Sequence, residues 1–212
     1  MTTASAARSG RGRRSTRPSG DEREAAILAT AERLLENKNF ANISIDDLAK
    51  GAGISRPTFY FYFASKEAVL LSLLTRVVVE ADNAMDALTA DPPAEATALW
   101  RDGIAVFVRT FGAHWAVSLA ADQSRTSAEI GELWSSFMHK WVVHGARIID
   151  AERARGVAPH TVPSIDLATG LNLLNEKVML TAFANEVPSV PTDHVLDTLV
   201  HIWLASIYGG SH

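Results

Sequence analysis

Ser55, Arg56, Thr58 and Tyr60 stand close together in one short segment, and this mixture suits contact with nucleic acid better than the making or breaking of bonds. An arginine offers two parallel N–H donors that match O6 and N7 of guanine, while hydroxyls reach base edges and phosphate oxygens. Arg56 is the best candidate for a base contact, and Thr58 the least committed, because its hydroxyl can equally bond the local backbone. Ser44, Tyr62 and Lys66 flank the segment with the chemistry of phosphate contacts. Ser65 and Lys66 fall where a helix should begin, and a helix N-terminus itself favours anions.

A second chemistry belongs to apolar binding. Trp100, Ile104, Phe107 and Phe111 recur at spacings of four, three and four, which places them on one helical face. Trp134, Met138, Trp141 and Gly145 repeat that spacing, and Trp203 adds a ring from a third helix. Such stripes are ordinarily core. Rigid flat rings converging from three helices nevertheless leave gaps in a small body unless something elongated fills them, and Gly145 widens the gap. Asn172 and Asn175 share one face of an otherwise apolar helix, where each would cost about 1–3 kcal/mol if buried unpaired. A ligand carbonyl or amide could satisfy them; so could solvent or a second subunit.

Catalytic chemistry finds no support. The G-x-S-x-G elbow, the H-E-x-x-H zinc motif, the phosphate-binding loop and the dinucleotide glycine pattern are all missing from the sequence. His139 and His144 are five apart, so they do not share a face as metal ligands four apart would, and they read as solvent-facing. Asp150, Glu152 and Glu186 read as surface and cap charges. No enzyme activity, cofactor or metal site is expected.

The positioning elements follow from caps and breakers. Ser44 should cap a short helix, with Asp47 three residues on completing a capping box, and Ile45, Leu48 and Ala49 as its buried stripe. Gly51-Ala52-Gly53 stops it, because glycine takes the left-handed conformation of a tight interhelical turn. Ser55 then caps a second short helix with Pro57 in its first turn. Two capped helices around a glycine turn make a helix-turn-helix. The run Phe59-Tyr60-Phe61-Tyr62-Phe63 that follows has more rings than one face can bury, so some must project outward. Upstream, Asp21 with Glu24 should cap a first helix whose stripe is Ile27, Leu28, Ala31, Leu34 and Leu35. Downstream, Ser65 caps a long helix that runs to Asp91-Pro92-Pro93, about 35 Å. Helices over 115–124, 127–155, 165–185 and 192–208 complete an all-α chain.

Composition bounds the reading. The 212 residues are 47% hydrophobic and 21% charged, contain no cysteine, and have no apolar run of membrane-spanning length. The N-terminus lacks the apolar stretch of a secretory signal, so the cytoplasm is the expected compartment. Net charge is −4. Arg8, Arg11, Arg13, Arg14 and Arg17 put +5 on residues 1–20, which leaves −9 on the remainder. That arm, rich in Ser, Gly, Thr and Pro, should be disordered when free and available to a DNA groove, Arg13 and Arg14 included.

Thr58-Phe59-Tyr60-Phe61-Tyr62-Phe63 followed by Ser65-Lys66-Glu67-Ala68 closely resembles the signature of TetR-family repressors. Over residues 8–208 the chain looks most like the EthR type of mycobacterial repressor, through its arginine-rich arm and the segments ISRPTFYFYFASKEAVL, ELWSSFMHKW and VLDTLVHIW. The resemblance implies an arginine-rich arm over 1–20, a DNA-binding head over 21–63, and an effector-binding and dimerisation body over 64–212. It implies an apolar effector tunnel and carries over, by matching segment, a lining of Trp100, Gly103, Phe107, Phe111, Trp134, Met138 and Trp141, completed by Asn172, Asn175 and Trp203. It further suggests control of a neighbouring monooxygenase gene. The last two helices have apolar residues on more than one face, and pairing them with a second copy gives the family's twofold four-helix interface. The expectation is thus a dimeric repressor that leaves operator DNA when a small apolar effector binds. The alternative is a small-molecule or lipid carrier with a vestigial helix-turn-helix, though a carrier has no use for five arginines beside such a motif.

Overall fold

The computed structural model describes residues 19–93 and 95–209; Arg13, Arg14 and the other arginines of the arm lie outside the described residues. All regular elements among the described residues are helical: α1 (Gly20–Leu35), a 3₁₀ turn (Phe40–Asn42), α2 (Ile45–Gly51), α3 (Arg56–Tyr62), α4 (Lys66–Ala90), α5 (Ala96–Ala113), α6 (Trp115–Gln123), α7 (Ala128–Ala154), α8 (Ser164–Phe183) and α9 (Val195–Tyr208).

Helix α1 begins earlier than its charge pattern suggests. Ser19, not Asp21, is the cap: its hydroxyl accepts the Glu22 N–H, and the Glu22 carboxylate accepts the Ser19 N–H in return. Both Ser-x-x-Glu and Asp-x-x-Glu satisfy the capping rule, and the serine two residues upstream adds a half-turn of helix. The Ser44 box forms as its spacing requires, with Asp47 N–H on the Ser44 hydroxyl at 3.1 Å and the Asp47 carboxylate on the Ser44 N–H at 3.0 Å. Those bonds, the backbone one foremost, hold Asp47 below the usual carboxylate range. Its capping contribution is therefore present above the ordinary Asp pKa and lost as pH falls through the depressed value.

The α2–α3 turn uses its two glycines differently. Gly53 has φ +68°, the left-handed region, whereas Gly51 is the last residue of α2, where a Cβ would overlap the γ-methyl of Thr30 on α1. Only one glycine makes the turn; the other permits α1 and α2 to touch. Ile27, Leu28 and Ala31 of α1 and Leu48 and Ala49 of α2 meet Phe59 of α3, which is completely buried, and Val69 and Leu70 of α4.

Helix α4, 25 residues or about 37 Å long, leaves this head and enters the body, burying Leu73, Leu74, Val77, Val78, Ala81 and Met85. Helices α5 and α6 meet at an 86° bend at His114. No single helix among the described residues is long and apolar enough to cross a membrane. Helices α7, α8 and α9 close the body, with Ile149, Ala168, Leu199 and Ile207 in its second core. Of the residues expected to form a surplus face on α8 and α9, Leu171, Val195, Leu199, Val200 and Trp203 are buried within the chain, whereas Leu167, Leu174, Val178, Leu196 and Ile202 are half-buried. Ile165 and Leu173 of α8, outside that set, are exposed.

Candidate functional site

The head presents α3. Ser55 caps it, accepting the Thr58 N–H at 3.3 Å, and the two hydroxyls sit 2.8 Å apart, so Thr58 is partly spent on the cap. Arg56 is exposed: it pairs with Asp46 of α2 at 3.3 Å and donates to the Tyr60 hydroxyl at 3.4 Å. These neighbours, Tyr60 first, raise its pKa further. An exposed ion pair of this kind holds a guanidinium in place at little energetic benefit and yields it readily to a stronger acceptor. The aromatic run divides by helical phase: Phe59 and Phe63 are buried, Tyr62 is half-buried, Tyr60 is 47% exposed and Phe61 is 82% exposed. Sequence reasoning singled out the tyrosines and missed Phe61, although the excess of rings over available core was the signal.

Lys66 requires a correction. Its ammonium, expected at a phosphate, turns inward and donates to the carbonyls of Phe40 at 2.9 Å, Ala41 at 3.2 Å and Ile43 at 3.0 Å, above the Phe40 ring. Three donors meet three acceptors, so the group ties the α1–α2 connection to the start of α4.

In the body, all the residues expected to line a pocket converge on three adjoining chambers. The near chamber is walled by Trp100, Gly103, Phe107, Trp141, Gly145, Asn172, Asn175 and Trp203. A middle chamber shares Phe107, Trp141 and both asparagines, and adds Phe111, Trp134 and Met138. A far chamber shares Phe111 and Trp134 with the middle one and reaches Leu74 of α4. All three are narrow, with the side chains closely packed around them. The dividing walls are rings: Phe107 meets Trp141 edge-on at 5.5 Å between the near and middle chambers, and Phe111 meets Trp134 at 5.4 Å between the middle and far ones, while Trp100 and Trp203, 5.0 Å apart, both line the near chamber.

The asparagines are buried inside one subunit. Asn172 donates to the Ala168 carbonyl at 2.8 Å, and the Asn175 carbonyl accepts the Trp203 indole N–H at 2.8 Å. Among the described residues, this leaves one half of each amide without a protein partner. Trp100 is fixed from behind: its N–H donates to the Tyr208 hydroxyl at 3.0 Å, which donates to Glu152 at 3.1 Å. Burial, then the Glu152 carboxylate, push Tyr208 up to about 12 against the opposing pull of Trp100.

Two further expectations fail here. Glu152 is no surface charge; it is 4% exposed and paired with Arg155 and Tyr208. His144 is not solvent-facing; it lines the near chamber beside Trp141, and burial, helped by Arg147 and Lys140, lowers its pKa. Its position three residues after Trp141 was the available signal. His139 is exposed as expected. Glu186 pairs with Lys177 at 3.6 Å on the surface.

Polar links tie this lining to the helices that bear the head. Trp141 donates to Asp82 of α4 at 3.0 Å, and His114, at the α5–α6 bend, lies 2.6 Å from Glu32 of α1 and 3.3 Å from Glu80 of α4.

A capped helix-turn-helix on a lever helix, joined to an aromatic-lined body, defines a class: a DNA-binding transcriptional regulator. Residues 27–73 match the tetR family of bacterial regulatory proteins, and residues 100–209 match the C-terminal domain of the transcriptional regulator EthR. The chain is 60% identical to the HTH-type transcriptional regulator EthR of Mycobacterium tuberculosis (strain ATCC 25618 / H37Rv), over 99% of both chains. It is 57% identical to that of Mycolicibacterium smegmatis, over 99% of this chain and 97% of the relative. A putative transcriptional regulator from Saccharomonospora viridis, solved in complex with choline, shares the fold at 24% identity and TM-score 0.71, covering 87% of this chain and 96% of its own. The chain belongs to the EthR group of the TetR family of transcriptional repressors.

Proposed function

We propose that the protein is a homodimeric, cytoplasmic repressor released from its operator by a small apolar effector held in the aromatic chambers, and that it controls a neighbouring monooxygenase gene. The observation that carries this reading is the convergence of the three chambers on two buried asparagines, each with half its amide unspent. Apolar walls with a few fixed polar groups are the usual makeup of a small-molecule site. The exposed Ile165 and Leu173 of α8 suit the twofold pairing of α8 and α9. In the head, Arg56 reads a base, Tyr60 and Phe61 lie against the groove with Phe61 on a thymine methyl, and Ser44 and Tyr62 hold phosphates. Trp141–Asp82 and the His114 contacts give chamber occupancy a route to α4 and α1.

The test is operator binding on the gene's own upstream region, with and without apolar esters, amides and ketones. Nanomolar binding that a ligand weakens by about tenfold or more supports the repressor. Ligand binding without any DNA affinity would favour the carrier.

Arg56→Ala tests the reading of sequence. It is expected to cost roughly 1–3 kcal/mol of operator affinity and to relax preference at one position of each half-site, because the bidentate contact disappears. Binding selections on randomised operators measure it. Unchanged preference would move the base contact to Tyr60 or Phe61.

A further inference from the structure

The far chamber contains a charge arrangement that an apolar tunnel does not need. Glu176, one residue beyond Asn175 on α8, lines both the middle and far chambers, and only 10% of its side chain is exposed. A carboxylate this deep requires a cation. The cation is Arg125, whose guanidinium pairs with Glu176 and lies 5.1 Å from the centre of the Trp134 ring.

The two partners are held very differently. Glu176 sits within α8, fixed by helix packing. Arg125 comes from the turn between α6 and α7, its side chain is 34% exposed, and its Nε is anchored at 3.1 Å to Asp122, itself 43% exposed. Arg125 can therefore swing to the rim and keep the Asp122 pair without disturbing a helix. What stays behind is a buried carboxylate, the face of Trp134 and the apolar walls of Phe111, Met179 and Phe183. A carboxylate beside an aromatic face is the environment that an alkylammonium satisfies. A neutral chain end cannot replace Arg125 as the partner of Glu176, and an anion would be repelled by the carboxylate.

We propose that Arg125 is a built-in substitute for a ligand cation, and that the far chamber takes the ammonium end of a long-chain amine whose alkyl chain lies in the aromatic chambers. This rests on the reading of the body as an effector site. The length agrees: Trp100 in the near chamber and Phe111 in the far one are eleven residues apart on α5, about 16 Å. The site also adjoins the lever, because Leu74 of α4 and Ser118 and Ala121 of α6 line the same chamber. An ammonium that expels Arg125 thus acts directly against the helix that carries the head.

The experiment compares dodecylamine, dodecanol and dodecanoate, each below its micelle concentration, by calorimetric titration of the full-length protein and by operator affinity. Dodecylammonium is expected to bind at least about tenfold tighter than the other two. Glu176→Gln should abolish that preference, and Arg125→Ala should tighten ammonium binding by removing the internal competitor. If all three chains bind alike, or Glu176→Gln keeps the preference, the apolar site stands and the cation site falls. Tighter dodecanoate binding would put a ligand carboxylate on Arg125 and overturn the proposal. Binding of none of the three would overturn the cation site and leave the effector reading to its own test with esters, amides and ketones.

Discussion

Gly145→Trp is expected to leave a folded protein whose operator binding no longer responds to any apolar ligand. Gly145 stands on α7 facing the near chamber, where a Cβ would meet the Ala168 Cβ at 3.7 Å and the Trp203 ring at 4.0 Å. A methyl therefore fits in ordinary contact, and anything larger must enter the chamber. An indole there occupies the space between Trp100, Trp203 and the two asparagines, at a strain cost of about 1–3 kcal/mol. Filling the chamber either imitates the effector, so that operator affinity is low throughout, or locks the DNA-competent spacing of the recognition helices, so that it is high throughout. Both outcomes remove the ligand's differential affinity for the two states, without which no ligand shifts an equilibrium. Melting temperature and operator affinity are measured with and without ligand for the parent, Gly145→Ala and Gly145→Trp. Gly145→Ala should keep the response. A ligand that shifts both readings of Gly145→Trp as much as those of the parent would place the effector elsewhere and return the tryptophans to ordinary core.

Lys66→Met is expected to destabilise the head, and to weaken operator binding only through that loss. The substitution keeps the apolar stem but leaves three carbonyls, those of Phe40, Ala41 and Ile43, without their donor. Hydrogen bonds to a charged group are worth about 1.5–3 kcal/mol each, and three made by one ammonium do not add fully, so a total near 2–4 kcal/mol is reasonable. In a chain of this size that lowers the melting temperature by about 4–16 °C. A phosphate-binding lysine would behave in the opposite way, with an intact melting temperature and a smaller salt dependence of DNA binding. Calorimetry and binding at two salt concentrations separate the two roles.

The helix-turn-helix was legible because the bonds that define it are local. Ser44 with Asp47, Ser55 with Thr58 and Ser65 with Ala68 each close a hydrogen bond over three residues, so a short window of sequence contains both partners. Where two windows compete, as Ser19 and Asp21 do at the start of α1, the rule admits both. The aromatic faces were legible for a similar reason: helical spacing alone places Trp100, Phe107 and Phe111 on one side. Periodicity also shows where reading stopped too soon, since Phe137, four residues before Trp141, and His144, three residues after it, share its face.

By itself, then, the sequence determined the order of the helices, their caps, the reading head and the faces that line the body. Only the tertiary structure decided which charges meet. Lys66 reaches carbonyls 23 to 26 residues away, Arg125 finds Glu176 across 51 residues, Tyr208 finds Glu152 across 56, and His114 finds Glu32 across 82. Charged side chains are long and many, and nothing in their spacing names a partner. Their pairing is set by which helix faces become neighbours, and that is fixed by burial of apolar surface, which is non-directional and blind to the charges it brings together.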